Sequence, residues 1–134
     1  MRDAVHAAMP RVVEGISLKD GSVLLVKGSR GLTKERWSLP DGFLRFGETP
    51  QQELVREVKE ELGVEARIQE LLGIKAKLGH QSRLQWVMVF YRIVLTDEVH
   101  PNPDEIAESQ YFPLPAAKEL LFDSLMQEAI TSLR

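Results

Sequence analysis

The chain has 134 residues, of which 43% are apolar and 28% charged, a globular composition that rules out a disordered tail or a membrane span. A net charge of −3 without a dense Lys/Arg tract gives no attraction to a nucleic-acid polymer. With no cysteine, neither a disulfide framework nor a thiolate metal site can form.

The opening "MRDAVHAAMPR" is too short in apolar residues for a signal peptide, and no stretch approaches about 18 uninterrupted apolar residues. The expectation is a cytoplasmic protein with no membrane partner, folded as a single domain over residues 1–134.

In chain order, "VVEGISL" (12–18) and "SVLLVK" (22–27) flank the turn signal "KDG" and predict a β-hairpin. "GSRGLTKER" (28–36) is a polar, basic loop, and "WSLP" (37–40) is a short strand that Pro40 ends. "DGFLRFGE" (41–48) reads as a Gly-punctuated loop carrying Phe43, Leu44 and Phe46. A helix follows. Thr49 is a fit N-cap, Pro50 suits the first turn, Gln52 completes a capping box and Gly63 supplies the stop. Its Leu54, Val55, Val58 and Leu62 form an apolar stripe.

"EARIQELLGIKAKL" (65–78) and "LQWVMVFYRIVL" (84–95) predict long strands joined by the turn "GHQSR". The second is apolar almost throughout, as for a central strand covered on both faces. An acidic loop (96–108) leads to the short strand "SQYFPL" (109–114), and Leu125, Met126, Ala129, Ile130 and Leu133 keep helical core spacing near the C-terminus. These elements predict an α/β (α+β) sandwich, a mixed sheet with helices on both sides.

The predicted helix carries Glu53, Glu57, Glu60 and Glu61 on one face, about a third of a turn from the stripe. Like charges three and four apart cost a helix about 0.2–0.5 kcal/mol per pair. By helical angle, Arg56 and Lys59 point away from the cluster's centre. On spacing alone a solvated acidic face is as good a reading as a site for a hard divalent cation, which needs several converging oxygens.

The wider context separates the two. Gly42 to Val64 reads G-x5-E-x7-R-E-U-x-E-E-x-G-U, where U is a bulky aliphatic residue, and Gly42, Glu48, Arg56, Glu57, Val58, Glu60, Glu61, Gly63 and Val64 occupy every specified position. At average residue usage, chance gives this pattern at one starting point with probability on the order of 10⁻⁹ to 10⁻¹⁰. The stretch resembles the signature box of the Nudix hydrolases, and the order of the flanking strands follows the same family.

That resemblance implies a pyrophosphohydrolase using Mg²⁺ or Mn²⁺, acting on a nucleoside diphosphate linked to another group by water attack at phosphorus. It implies Glu60, Glu61 and the Gly42 carbonyl as metal ligands, Glu57 as ligand or general base, and Glu48 with Arg56 as a supporting ion pair. A base or extra ligand from a later loop has candidates in Asp97, Glu98, Asp104, Glu105 and Glu108, of which Glu105, just before the last strand, is chosen. Asp41 stands where many relatives have a second glycine, which bears on how the loop meets substrate.

Arg30, Arg36, Phe43, Phe46 and His80 are the candidate substrate contacts, although a solvated loop accounts for the two arginines equally well, and core packing for the aromatics and a surface turn for His80 are the stronger readings. A downstream proline common in ADP-ribose pyrophosphatases, and a tyrosine common in dinucleoside polyphosphate hydrolases, are both absent where Gly79, His80, Gln81 and Ser82 stand. A small-molecule nucleotide is therefore the expected partner, without a choice among nucleotides, and dimers are frequent among such proteins. The resemblance also allows a nucleotide-sensing module that does not cleave, but such domains commonly lose box carboxylates and none is lost here.

Overall fold

Asp20 (φ 51°) and Gly21 (φ 77°) supply two consecutive left-handed residues, the requirement of the tight turn that suits a β-hairpin. In the computed structural model, which describes residues 11–78 and 85–133, this turn joins β1 (Arg11–Lys19) to β2 (Ser22–Gly28). The hairpin is much shorter than its two runs suggest. Only Leu18 with Val23 and Lys19 with Ser22 pair before the strands part.

The edge of β1 that β2 leaves is taken by β4 (Asp41–Phe43), with Val12 opposite Phe43 and Glu14 opposite Asp41. The Gly15 N–H, inside the fork, donates to the Pro40 carbonyl at 2.8 Å. A stretch read from sequence as loop is thus strand in its first three residues, because an unpaired edge of β1 is there to receive it. β2 continues between β3 (Trp37–Ser38) and β7 (Ile106–Pro113).

The other edge of β1 pairs in parallel with β6 (Gln85–Leu95) from Arg11–Val87 to Ser17–Ile93, and β6 pairs antiparallel with β5 (Ala66–Leu78). Among the described residues this makes a mixed seven-stranded sheet. The last strand begins three residues earlier than its sequence suggests, since Ile106 already pairs with Gly28.

α1 (Pro50–Leu62) forms as its signals dictate. The Gln52 N–H donates to the Thr49 hydroxyl at 3.2 Å, and the Thr49 N–H donates to the Gln52 side chain at 3.0 Å. Gly63 ends it in the left-handed conformation (φ 62°), its N–H donating to the Lys59 carbonyl. Near the C-terminus there are two short helices where one was expected, α2 (Leu114–Leu120) and α3 (Ser124–Thr131). Pro115 is tolerated in the first turn of α2, where its missing N–H has no helical partner to lose. Asp123 caps α3 by accepting the Leu125 and Met126 N–H groups.

The sheet separates two apolar clusters. Leu54, Val58 and Leu62 of α1 pack on Val13, Tyr91 and Ile93. On the opposite face Ala117 and α3's Met126 and Ile130 pack with Ile16, Leu25 and Phe90. Leu54 is fully buried on the helix that carries the glutamates. Leu54→Ala should therefore cost about 2–5 kcal/mol, seen as a lower urea midpoint at unchanged m-value. No helix among the described residues is long and apolar enough to cross a membrane.

Candidate active site

Strand β4 lies against α1, and the contact point is Gly42. A Cβ there would come within 2.3 Å of a Glu53 carboxyl oxygen and of the Glu57 Cγ. Only glycine lets that backbone sit directly beneath the two glutamates. Glu61, one turn further along α1, stands beside Glu57, with Asp41 and Glu105 also close. Burial first, then Asp41 and Glu57, push the Glu61 carboxyl well above the ordinary range. Burial with the nearby Glu57 likewise lifts Asp41 to about 7.

Arg56 holds this arrangement together. Its Nε and Nη2 donate to both oxygens of Glu48 (2.8 and 3.2 Å), while Nη1 donates to Glu57 (2.8 Å) and to Glu60 (3.1 Å). Glu48 is held below its usual pKa by Arg56. Helical angle sends Arg56 away from the acidic cluster, yet its guanidinium bonds Glu57 and Glu60. The long side chain folds back along the helix and its fork reaches across the ridge. Lys59 does leave the cluster, to pair with Glu65.

Glu53, which the sequence offers only as one of four surface carboxylates, is fully buried. Its oxygens have no hydrogen-bond partner, and Arg56 Nη2 stands 3.6 Å away, beyond hydrogen-bond reach. Burial and the neighbouring Glu57 lift it to about 8. Between the ordinary value of 4.5 and about 8 the folded protein alone keeps this proton, so stability falls as pH rises through that window. Glu53→Gln should remove that slope. Metal-free variant and parent should melt alike at acid pH, with the variant several degrees higher under alkaline conditions; equal melting at both ends would sink the assignment.

The expected site residues divide by position. Gly42, Glu57, Glu61 and Glu105 come together. Glu105 faces α1 from the start of β7 and pairs with Arg30 at 3.3 Å, and Arg30, Glu61, Glu105 and Asp41 line one space of about 160 Å³. Glu60 is on the outer side of the ridge, half exposed and bonded to Arg56. Arg36 and Phe43 line a second cavity of about 290 Å³, which Asp41 also borders. Phe46 stands wholly in solvent, and His80 lies outside the described residues.

That second cavity contains the group sequence reading missed most completely. Glu14 is fully buried in β1, and neither of its oxygens meets a protein donor. Burial and the facing Asp41 carboxyl raise it well above the usual carboxylate range. Its place at an even position of an otherwise apolar strand, in "VVEGI", is the one signal that marked it.

No three His, Asp or Glu side chains among the described residues enclose an ion by themselves. Mg²⁺ asks for less, since it keeps several waters and takes one or two carboxylates with substrate phosphates. Glu57, Glu61 and the glycine backbone beneath them fit that donor set. Their crowded negative charge is what such a cation offsets.

The comparisons with known proteins agree with this geometry. A family model described as the NUDIX domain matches residues 9–133. An ADP-ribose pyrophosphatase of Methanocaldococcus jannaschii is 34% identical over 120 residues, covering 89% of this chain and 69% of its own length. An NAD-capped RNA hydrolase of Pseudomonas aeruginosa is 31% identical over 106 residues, 75% of this chain, which spans only 37% of that protein. The crystal structure of a MutT NUDIX hydrolase from Burkholderia pseudomallei superposes with a TM-score of 0.80 at 22% identity, covering 94% of this chain and 98% of that one. The box, the forked mixed sheet and the match over residues 9–133 place this chain in the Nudix hydrolase family.

Proposed function

We propose that the protein is a divalent-metal-dependent pyrophosphohydrolase acting on a nucleoside diphosphate linked to a second group, with ADP-ribose the first substrate to test. One observation carries the reading: Gly42, Glu57 and Glu61 meet at the contact of β4 with α1, and Glu105 faces them with Arg30 beside it. The similarity to an ADP-ribose pyrophosphatase supports the substrate class.

Glu57, Glu61 and the Gly42 carbonyl are the residues that would hold Mg²⁺ or Mn²⁺, with Glu60 within reach if its carboxylate leaves Arg56. Bound there, such an ion would neutralise phosphate charge and make water a better nucleophile. Glu105, or Glu57 where it is not occupied as a ligand, accepts the proton of the attacking water. Arg30, freed from Glu105 by the substrate, turns to the phosphate charge. Glu48 takes no part in proton transfer; through Arg56 it fixes the loop to the helix.

Water adds at phosphorus and the anhydride P–O bond breaks, so ADP-ribose would yield AMP and ribose 5-phosphate. The test is product analysis of ADP-ribose, dinucleotides and nucleoside triphosphates with Mg²⁺ or Mn²⁺. Cleavage that stops with chelator and places solvent oxygen on one phosphate is the expected result. Tight binding without any cleavage over hours would instead make the domain a nucleotide sensor.

A further inference from the structure

A helix ends on carbonyls that have no partner within it, and whatever packs there must satisfy them. At the end of α1 the donors come from a distant loop. The His100 N–H donates to the Leu62 carbonyl at 2.7 Å, and the Asn102 N–H donates to the Glu61 carbonyl at 2.8 Å. Gly63 admits this close approach, since a Cβ on it would stand 2.9 Å from the His100 carbonyl oxygen. The loop, "HPNPDE", is stiff by composition. Pro101 and Pro103 lock their own φ and disfavour helical backbone at His100 and Asn102.

Helix capping explains the chain as far as the Asn102 N–H and no further. The Asn102 carbonyl accepts from the Glu105 N–H at 3.0 Å and from the Ile106 N–H at 2.8 Å. Its side-chain oxygen accepts from the Asp104 N–H at 3.1 Å, the local turn in which asparagine bonds the backbone two residues on. The Glu105 carbonyl in turn accepts from the Ser29 N–H at 2.9 Å. A line of peptide groups thus runs from Glu61 through Asn102 to Glu105, and the side chains of Glu61 and Glu105 line one space of about 160 Å³. The Glu105 side chain itself meets Arg30 at 3.3 Å, but with Arg30 70% exposed such a pair fixes little.

We infer that Asn102 is a positioning residue, whose side chain closes the turn that sets Glu105 toward Glu61. It acts through Glu105 and takes no proton itself. The inference rests on the proposed role of Glu105 as proton acceptor and adds the residue that decides where the acceptor stands. A reacting group misplaced by about 1 Å can cost about 10²-fold in rate, so a single turn is enough to matter.

Asn102→Ala keeps the backbone donor and acceptor but opens the turn. Its kcat should fall about 10- to 100-fold with KM within about twofold of the parent, measured well below the Tm of each variant. Asn102→Asp retains an acceptor oxygen in the same place and should recover kcat to within about threefold of the parent. In a Glu105→Gln background Asn102→Ala should cost less than about twofold more, because nothing is left to position. Without any substrate, the Glu105 and Ile106 amides should exchange hydrogen at least about tenfold faster in Asn102→Ala, while amides in the middle of α1 keep their protection.

Unchanged exchange at both amides would overturn the inference. So would a full-sized loss repeated in the Glu105→Gln background, or a near-parental kcat for Asn102→Ala where Glu105→Gln is crippled; the proposed function would survive each of these. Parental turnover by Glu105→Gln would remove Glu105 from the chemistry and the inference with it. A parent that cleaves no anhydride, with exchange quickened as expected, would fail the hydrolase reading and uphold the hold of Asn102 on Glu105.

Discussion

Glu57→Gln should lower kcat by about 10³-fold while the protein keeps its fold and its melting temperature, a magnitude spanning the loss of a general base or of a metal ligand. The substitution is nearly isosteric, so the packing of Glu57 over Gly42 survives. What goes is one full negative charge beside Glu61. The amide can still accept from Arg56 Nη1, which now bonds Glu57 at 2.8 Å, and the clamp to Glu48 is untouched.

Glu61→Gln should behave similarly. The double variant should lose little more than either alone, because residues acting as one unit are strongly non-additive. Metal affinity separates the two roles Glu57 can have. If it is a ligand, the Mn²⁺ concentration for half-maximal activity rises; if it is the base, that concentration stays put and only kcat falls. A rate within a few-fold of the parent on the true substrate would remove Glu57 from the machinery altogether.

The second large effect concerns stability. Arg56→Ala strips the cation from Glu48, Glu57 and Glu60 and leaves buried Glu53 without the positive charge nearest it. Breaking a buried pair on one side typically costs about 3–5 kcal/mol. With the Arg56 side chain 21% exposed, about 2–4 kcal/mol is the expected loss. For a domain of this size that is a fall of roughly 10 °C in Tm.

Arg56→Lys should recover only part of it, since an ammonium cannot bridge Glu48 in two places while also reaching Glu57 and Glu60. Because the same fork sets the position of Glu57, the lysine variant should also lose kcat well beyond its loss of stability. Calorimetry on both variants, with turnover measured far below their Tm, distinguishes the two effects. A Tm within two or three degrees of the parent for Arg56→Ala would show that the carboxylates are content without it.

These two residues also mark the boundary between what could be read and what could not. The helix that carries them was legible to the residue. Thr49, Pro50, Gln52 and Gly63 are local signals, each satisfied by atoms within four residues, and the helix runs Pro50–Leu62 as they require. The box spacing identified the family for the same reason, since its specified residues lie on one helix and the loop before it. The long strands and the mixed sheet followed from periodicity.

Contacts across the chain were another matter. The fork between β2 and β4, which brings Gly42 under the glutamates, depends on which edge of β1 is left open. The reach of Arg56 depends on side-chain conformation, which helical angle ignores. Glu53 and Glu57 looked equivalent along the helix, yet one is sealed and the other half-buried.

By itself, then, the sequence determined the α1 helix, its caps, its ridge of carboxylates and hence the family chemistry, because short-range hydrogen bonds and fixed spacing decide all of these. Only the tertiary structure decided that Glu105 comes to the ridge from residues far along the chain, and that Glu14 is buried on the floor of a second cavity facing Asp41. Those placements depend on strand pairing and burial across 27 residues and more, where no local signal reaches.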